Sequence, residues 1–261
     1  LIGHDARVES LSFSPDESFV ISASADETVR IWGTDTGMCR HILEGHEGAV
    51  HSVALNEDGT LALSGSEDEQ LKLWDVESGE CIRTLKGHEA QVNVVSLSPS
   101  GDYALSGGED GMLKLWDMST GECLHTGERH NEGITALSVS NNQPLAITGS
   151  ASDVCLWDMK HKKKLRVFHG HRSTVTAVKL GEEGRLALSA TAQATIKIWN
   201  IKTGQCMRSL RGRTPLSLSK DGRIALSQGE RGILRVWALS HYNRALNAPY
   251  YICRNENGFS D

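Results

Sequence analysis

Tryptophan sets the frame of this chain. Its six copies stand at positions 32, 74, 116, 157, 199 and 237, at intervals of 42, 42, 41, 42 and 38 residues. Self-similarity at one period marks a repeat array, in which each repeat is a supersecondary element that buries its apolar face only against its neighbours. Histidines keep the same beat at 4, 46, 88, 130 and 171, each 27 or 28 residues ahead of its tryptophan. Within a repeat the apolar residues alternate with polar ones. AVHSVALN, LALSGS, LKLWDV and CIRTLKG, within residues 49–87, read as four short strands, and helical periodicity is absent. The turns come from NEDGT, SPSGD, EDEQ and VESGE, whose Asp, Asn, Ser, Pro and Gly supply the backbone angles that tight connections need.

Composition narrows the class further. With 39% hydrophobic and 23% charged residues in 261, the chain is of ordinary globular type and outside the disordered classes. No apolar run approaches the roughly 18 residues that cross a bilayer, and the opening LIGHDAR lacks the basic-then-apolar order of a secretory signal. The expected setting is therefore the cytosol or the nucleus, without membrane contact. Cys39, Cys81, Cys123 and Cys206 follow TGM, SGE, TGE and TGQ, so they are one repeated position. Equivalent positions point the same way and do not face each other, which argues against disulfides and for small buried apolar residues. Cys155 and Cys253 lack partners at metal-ligand spacing, and no cofactor is expected.

Ser106, Asp110 and the upstream His88 raise the question of a catalytic set. A nucleophilic triad needs one exposed serine beside an oxyanion site. The same trio recurs as His4, Ser22, Asp26 and as His46, Ser64, Asp68, one copy per repeat, which is what a structural element does. Other motifs also lack their context. HEGAVH, residues 46–51, sets its histidines five residues apart on a turn and strand, not on one helical face. SGGEDG ends one strand and enters another, so no helix N-terminus is available for phosphate. The basic run Lys160 to Lys164 falls at a hairpin and reads as a solvated loop, with a phosphate or partner contact as the alternative.

Gly-His at 3–4, 45–46, 87–88 and 170–171, followed by Trp-Asp at 74–75, 116–117 and 157–158, are specific motifs. Trp32-Gly33 and Trp199-Asn200 are close variants of the second. On these the chain resembles the WD-repeat (WD40) β-propeller family over roughly residues 1–240. The resemblance implies an all-β fold, a β-propeller of six recognisable four-stranded blades, the sixth degenerate, closed at six or part of a larger propeller or array. Residues 241–261 are then a C-terminal edge strand or linker. LIGH at 1–4 matches LKGH at 85–88, which places residue 1 at the tail of a fourth strand.

The resemblance also implies a hydrogen-bonded tetrad in each of the first three blades: His4, Ser22, Asp26, Trp32; His46, Ser64, Asp68, Trp74; and His88, Ser106, Asp110, Trp116. Later repeats depart from it. His130 follows Arg129, Thr148 replaces serine, and Ser152 or Asp153 falls near the aspartate place. The fifth repeat keeps His171 and Ser189 but has Gln193 there, and the sixth has Arg213 at the histidine place with Glu230 or Arg231 at the turn. Packing by Val175, Val178, Leu186, Leu188, Ile196 and Ile198 is expected to hold those blades.

Function follows as an expectation from the same family. Its propellers bind partners mainly on the face carrying the loops before the first strand and between the second and third. Here that face would carry Asp5, Arg7, Glu47, Glu89, Gln91, Asn131 and Arg172, with Glu67, Glu109 and Glu230 from the second loop. Glu9, His51, Asn93, Thr135 and Thr176 would lie nearer the central opening. Residues 1–128 hold 24 acidic against 7 basic side chains, and residues 129–261 hold 9 against 20. In a ring this sets an acidic arc opposite a basic one. The expected role is a non-enzymatic protein-interaction scaffold, or the recognition or sensor part of a larger signalling or defence protein, with a basic peptide, a protein or another domain of the same chain as partner. The alternative is a nucleic-acid or phosphate-bearing partner on the basic half, against which stand the net charge of −6 and only 5% aromatic residues.

Overall fold

The computed structural model describes residues 2–140, 142–181, 184–218, 224–228, 234–238 and 250–251. The chain divides into two compact units, Leu1–Leu137 with His161–Lys164, and Ser138–Lys160 with Leu165–Asp261. Each alternating segment becomes a strand, and every sheet is a four-stranded antiparallel meander in chain order. In the first unit these are β1 (Val8–Phe13), β2 (Phe19–Ser24), β3 (Val29–Gly33), β4 (Cys39–Leu43); β5 (Val50–Leu55), β6 (Leu61–Ser66), β7 (Gln70–Asp75), β8 (Cys81–Lys86); and β9 (Val92–Leu97), β10 (Tyr103–Gly108), β11 (Leu113–Asp117), β12 (Cys123–Thr126).

The fourth sheet, β13 (Ala136–Val139), β14 (Leu145–Gly149), β15 (Val154–Asp158) and β16 (Lys163–Phe168), and the fifth, β17 (Val175–Leu180), β18 (Leu186–Thr191), β19 (Thr195–Asn200) and β20 (Cys206–Arg211), repeat the plan. The sixth is partial. It comprises β21 (Arg213–Leu218), β22 (Ile224–Gln228), β23 (Leu234–Ala238) and the two-residue β24 (Tyr250–Tyr251), which pairs with Arg235 and Val236. Glu230, Arg231 and Cys253, and all of 241–261 except Tyr250 and Tyr251, lie outside the described residues.

Side-chain size explains how neighbouring sheets meet. A Cβ on Gly65 of β6 would lie 2.7 Å from Val92 Cγ1 and 2.8 Å from Val95 Cγ1, and one on Gly149 of β14 would lie 2.6 Å from Val175 Cγ1. The inner strand of one sheet thus presses valines into the space above a glycine in the second strand of the sheet before it. Val92 and Val175 are completely buried in this way, and Val50, whose preceding sheet has Ala23 at the glycine place, is completely buried as well. β1 differs, because its Leu11 and Phe13 are 60% and 65% exposed. Gly65→Ala should therefore destabilise by about 1–3 kcal/mol although alanine is the better strand residue, because the added methyl has no room. A urea midpoint unchanged or raised by the substitution would contradict the packing.

Two repeated devices, neither visible as a sequence motif, tie sheets together. Four inner strands, β1, β5, β9 and β17, carry a one-residue bulge, at Glu9, His51, Asn93 and Thr176, between ordinary ladder pairs. The serine after the bulge accepts an amide of the next inner strand: Val53 N to Ser10 Oγ at 3.4 Å and Val95 N to Ser52 Oγ at 3.2 Å. On the outer side, Arg83 of β8 donates to the carbonyls of Thr120 and Ser119 at 3.0 and 2.8 Å, and Arg166 of β16 repeats the strap onto Thr203 and Lys202.

The repeated cysteines require a correction. Cys39, Cys81, Cys123 and Cys206 are exposed, not buried, and all described cysteines are free thiols. Each begins the outermost strand of its sheet, where no further strand covers it, and its Sγ turns back to a nearby carbonyl, as Cys39 does to His41 O at 3.2 Å. The outer strands bury little else, chiefly Leu43, Leu85 and Phe168. In the fifth sheet Val175, Val178, Leu188, Ile196 and Ile198 are buried as expected, whereas Leu186 is only half-buried.

Candidate functional site

The three predicted tetrads are assembled, each in the same order. In the third, Trp116 Nε1 donates to Ser106 Oγ at 2.8 Å, Ser106 Oγ and His88 Nε2 are 2.7 Å apart, and His88 Nδ1 and Asp110 Oδ2 are 2.7 Å apart. The first repeats this at 2.8, 2.6 and 2.7 Å through Trp32, Ser22, His4 and Asp26, and the second at 2.9, 2.7 and 2.7 Å through Trp74, Ser64, His46 and Asp68. One tautomer satisfies the chain: Nδ1–H donates to the carboxylate and the serine hydroxyl donates to Nε2. The order is that of a serine nucleophile with its base, but Ser64 and Ser106 have no exposed surface and their oxygens are occupied by indole N–H groups. A substrate has no route to such an oxygen, so the geometry is architectural.

The carboxylates fasten the loops above them. Asp26, Asp68 and Asp110 accept the amides of Asp5, Glu47 and Glu89 at 3.0, 3.1 and 3.2 Å, and on their other oxygen the amides of Thr28, Gln70 and Met112. Burial alone pushes the Asp110 carboxyl up, but the hydrogen bonds from His88 and from the amides of Met112 and Glu89 outweigh it and hold the group below its ordinary range. Asp68 is lowered by the same balance, with His46 as the leading donor. Serines two residues ahead complete the anchor, Ser24 Oγ donating to Ala6 O and Ser66 Oγ to Gly48 O. Those serines went unassigned in the sequence, where the spacing SAD and SED was their only signal.

These anchors hold the loops of the first three repeats, and the predicted loop residues of all five repeats reach the surface to different degrees. Asp5, Arg7, Glu47, Glu67, Glu89, Glu109, Asn131 and Arg172 are exposed, while Gln91 and the bulge residues Glu9, His51 and Asn93 are half-buried. Thr135 is half-buried and Thr176 exposed. Some of them are joined. Gln91 Nε2 donates to Asn93 Oδ1 at 3.2 Å and Asn93 Nδ2 to Glu109 Oε2 at 3.0 Å, and Arg7 pairs with Glu9 at 2.6 Å. Glu230 lies outside the described residues. Among the described residues no three His, Cys, Asp or Glu side chains converge as metal ligands would, and no helix is long and apolar enough to cross a membrane.

In the fourth repeat Trp157 Nε1 donates to Thr148 Oγ1 at 2.8 Å, so threonine takes the serine role, while Asp153 stands 3.2 Å from His169. In the sixth, Trp237 Nε1 donates to Ser227 Oγ at 2.9 Å. Comparison with known proteins adds two findings. A model of the WD domain, G-beta repeat, matches residues 1–33, 37–75, 79–117, 121–158 and 162–200. A stretch of 41 residues, 16% of this chain, is 46% identical to Protein HIRA of Zea mays, and covers 4% of that protein's length. Proteins built from such repeats generally act through protein–protein interaction and are generally not enzymes. Five successive matches, laid over sheets that share one buried Trp–Ser/Thr bond, make this chain a member of the WD-repeat family.

Proposed function

We propose that the chain is a non-enzymatic docking module, the recognition part of a larger signalling or defence protein of the cytosol or nucleus, and that its first three blades take a basic peptide segment. The supporting observation is the row of exposed glutamates in the first unit, Glu47, Glu67, Glu89 and Glu109. Tetrad carboxylates pin the amides of Glu47 and Glu89 from below, so binding would cost little loop ordering. The partial sixth sheet is read as the sixth blade of the propeller. Lys164 of the basic run is engaged by Glu128 at 3.1 Å, which weakens the competing reading of that hairpin as a phosphate site.

The test uses a lysine- and arginine-rich peptide and an equally long single-stranded oligonucleotide as probes. Reversing all four glutamates to lysine should slow peptide association at least about tenfold at low salt. The difference should shrink near 0.15 M salt, where the screening length is about 8 Å. Stability should change little. An unchanged rate would assign the glutamates to solubility, and tighter binding of the oligonucleotide by the unaltered chain would favour the nucleic-acid reading.

A further inference from the structure

The fifth blade contains an unfinished tetrad. His171 is 7% exposed, its Nε2 lies 2.5 Å from Ser189 Oγ, and Trp199 Nε1 donates to the same oxygen at 2.7 Å. This is the arrangement of the first three blades up to the imidazole. Beyond it the blades differ, because the residue twenty-two positions after the histidine is Asp26, Asp68 or Asp110 in those blades and Gln193 here. Gln193 is exposed, and His171 Nδ1 is buried without a hydrogen-bond partner. A buried polar atom left unpaired costs free energy that a ligand regains by pairing with it.

The three completed blades show what fits that nitrogen. Their carboxylates accept His Nδ1, the amide of the residue after the histidine and the amide two residues beyond the aspartate. By the same register the remaining donors in the fifth blade are the amides of Arg172 and Thr195. The Thr195 amide makes a long bond, 3.4 Å, to Thr191 Oγ1. The charge around the site also favours an anion. Lys197 Nζ stands 5.7 Å from the centre of the Trp199 ring, and Trp199 packs edge-on against His171. Burial and the Lys197 charge push the imidazole down to about 4, so at neutral pH it is uncharged and carries one N–H to give. On the loop side Arg172, Ala192 and Gln193 face solvent.

We propose that the fifth blade carries a carboxylate-binding site, in which an acidic side chain of a protein partner takes the place that Asp26, Asp68 and Asp110 hold in the first three blades and accepts from His171 Nδ1 and the Arg172 and Thr195 amides. The site stands independently of the basic-peptide reading of the first three blades. Acetate serves as the probe, titrated at pH 7 against chloride at constant ionic strength while the His171 ring resonances and the melting temperature are followed. The unaltered chain should show a saturable shift of the His171 signals and a rise in melting temperature. Gln193→Asp supplies the carboxylate internally, so it should melt higher than the unaltered chain and bind acetate at least about tenfold more weakly. Absence of a saturable shift in the unaltered chain would overturn the proposal, and would mean that water satisfies Nδ1. An equal acetate response in Gln193→Asp, or an equal response to chloride, would also overturn it.

Discussion

Trp116→Ala should cost about 3–5 kcal/mol and lower the melting temperature by roughly 10 °C. The indole has no exposed surface and packs with Leu71, Leu73, Leu85 and Val92 of the second and third blades. Its removal opens a cavity between two blades and takes away the N–H that Ser106 accepts. Trp116→Phe keeps most of the volume and loses only the hydrogen bond, so it should cost about 1 kcal/mol. Trp237→Ala gives the internal comparison, since that indole is only half-buried at the margin of its cluster. Calorimetry on the three variants should rank Trp116→Ala as the most damaging, and an equal or larger loss for Trp237→Ala would contradict the assigned core.

Asp110→Ala should cost about 1–3 kcal/mol by a different route. The side chain fills little volume, but its loss strands His88 Nδ1 and the amides of Glu89 and Met112 together. Gln193→Ala in the fifth blade should matter less, because Gln193 is exposed and His171 Nδ1 is unpaired already. Comparable melting shifts for the two variants would mean that the carboxylate is not the keystone of its tetrad.

The contrast between these positions shows what a sequence can carry. The tetrads were legible through the family resemblance, which supplies the four roles, while the fixed spacing within each repeat assigns them to residues of this chain. His88, Ser106, Asp110 and Trp116 each stand at the place that the motif requires. The outer cysteines were misread because repetition reveals that Cys39, Cys81, Cys123 and Cys206 are equivalent and not which side of the sheet they occupy. Contacts between repeats were also hidden. Gly65 is required by Val92 and Val95 of the next blade, and no local pattern announces that. The chain from Gln91 through Asn93 to Glu109 crosses from an inner strand to a distant loop, so its members were named singly and not as one network. In the fifth blade the letters gave the missing aspartate, whereas the stranded Nδ1 of His171 needed the burial of its surroundings.

The claim that the buried sets build the scaffold while the loop glutamates do the binding is tested most directly by the affinity of Asp110→Asn for the lysine- and arginine-rich peptide, measured well below its melting temperature. Asparagine keeps the shape of the side chain and leaves Glu89 and Glu109 in place. The predicted result is a lower melting temperature with peptide affinity within about twofold of the unaltered chain, a difference of under 0.5 kcal/mol. An affinity loss as large as that of the variant with Glu47, Glu67, Glu89 and Glu109 all reversed would put the tetrad carboxylate in the partner contact and contradict the division of labour.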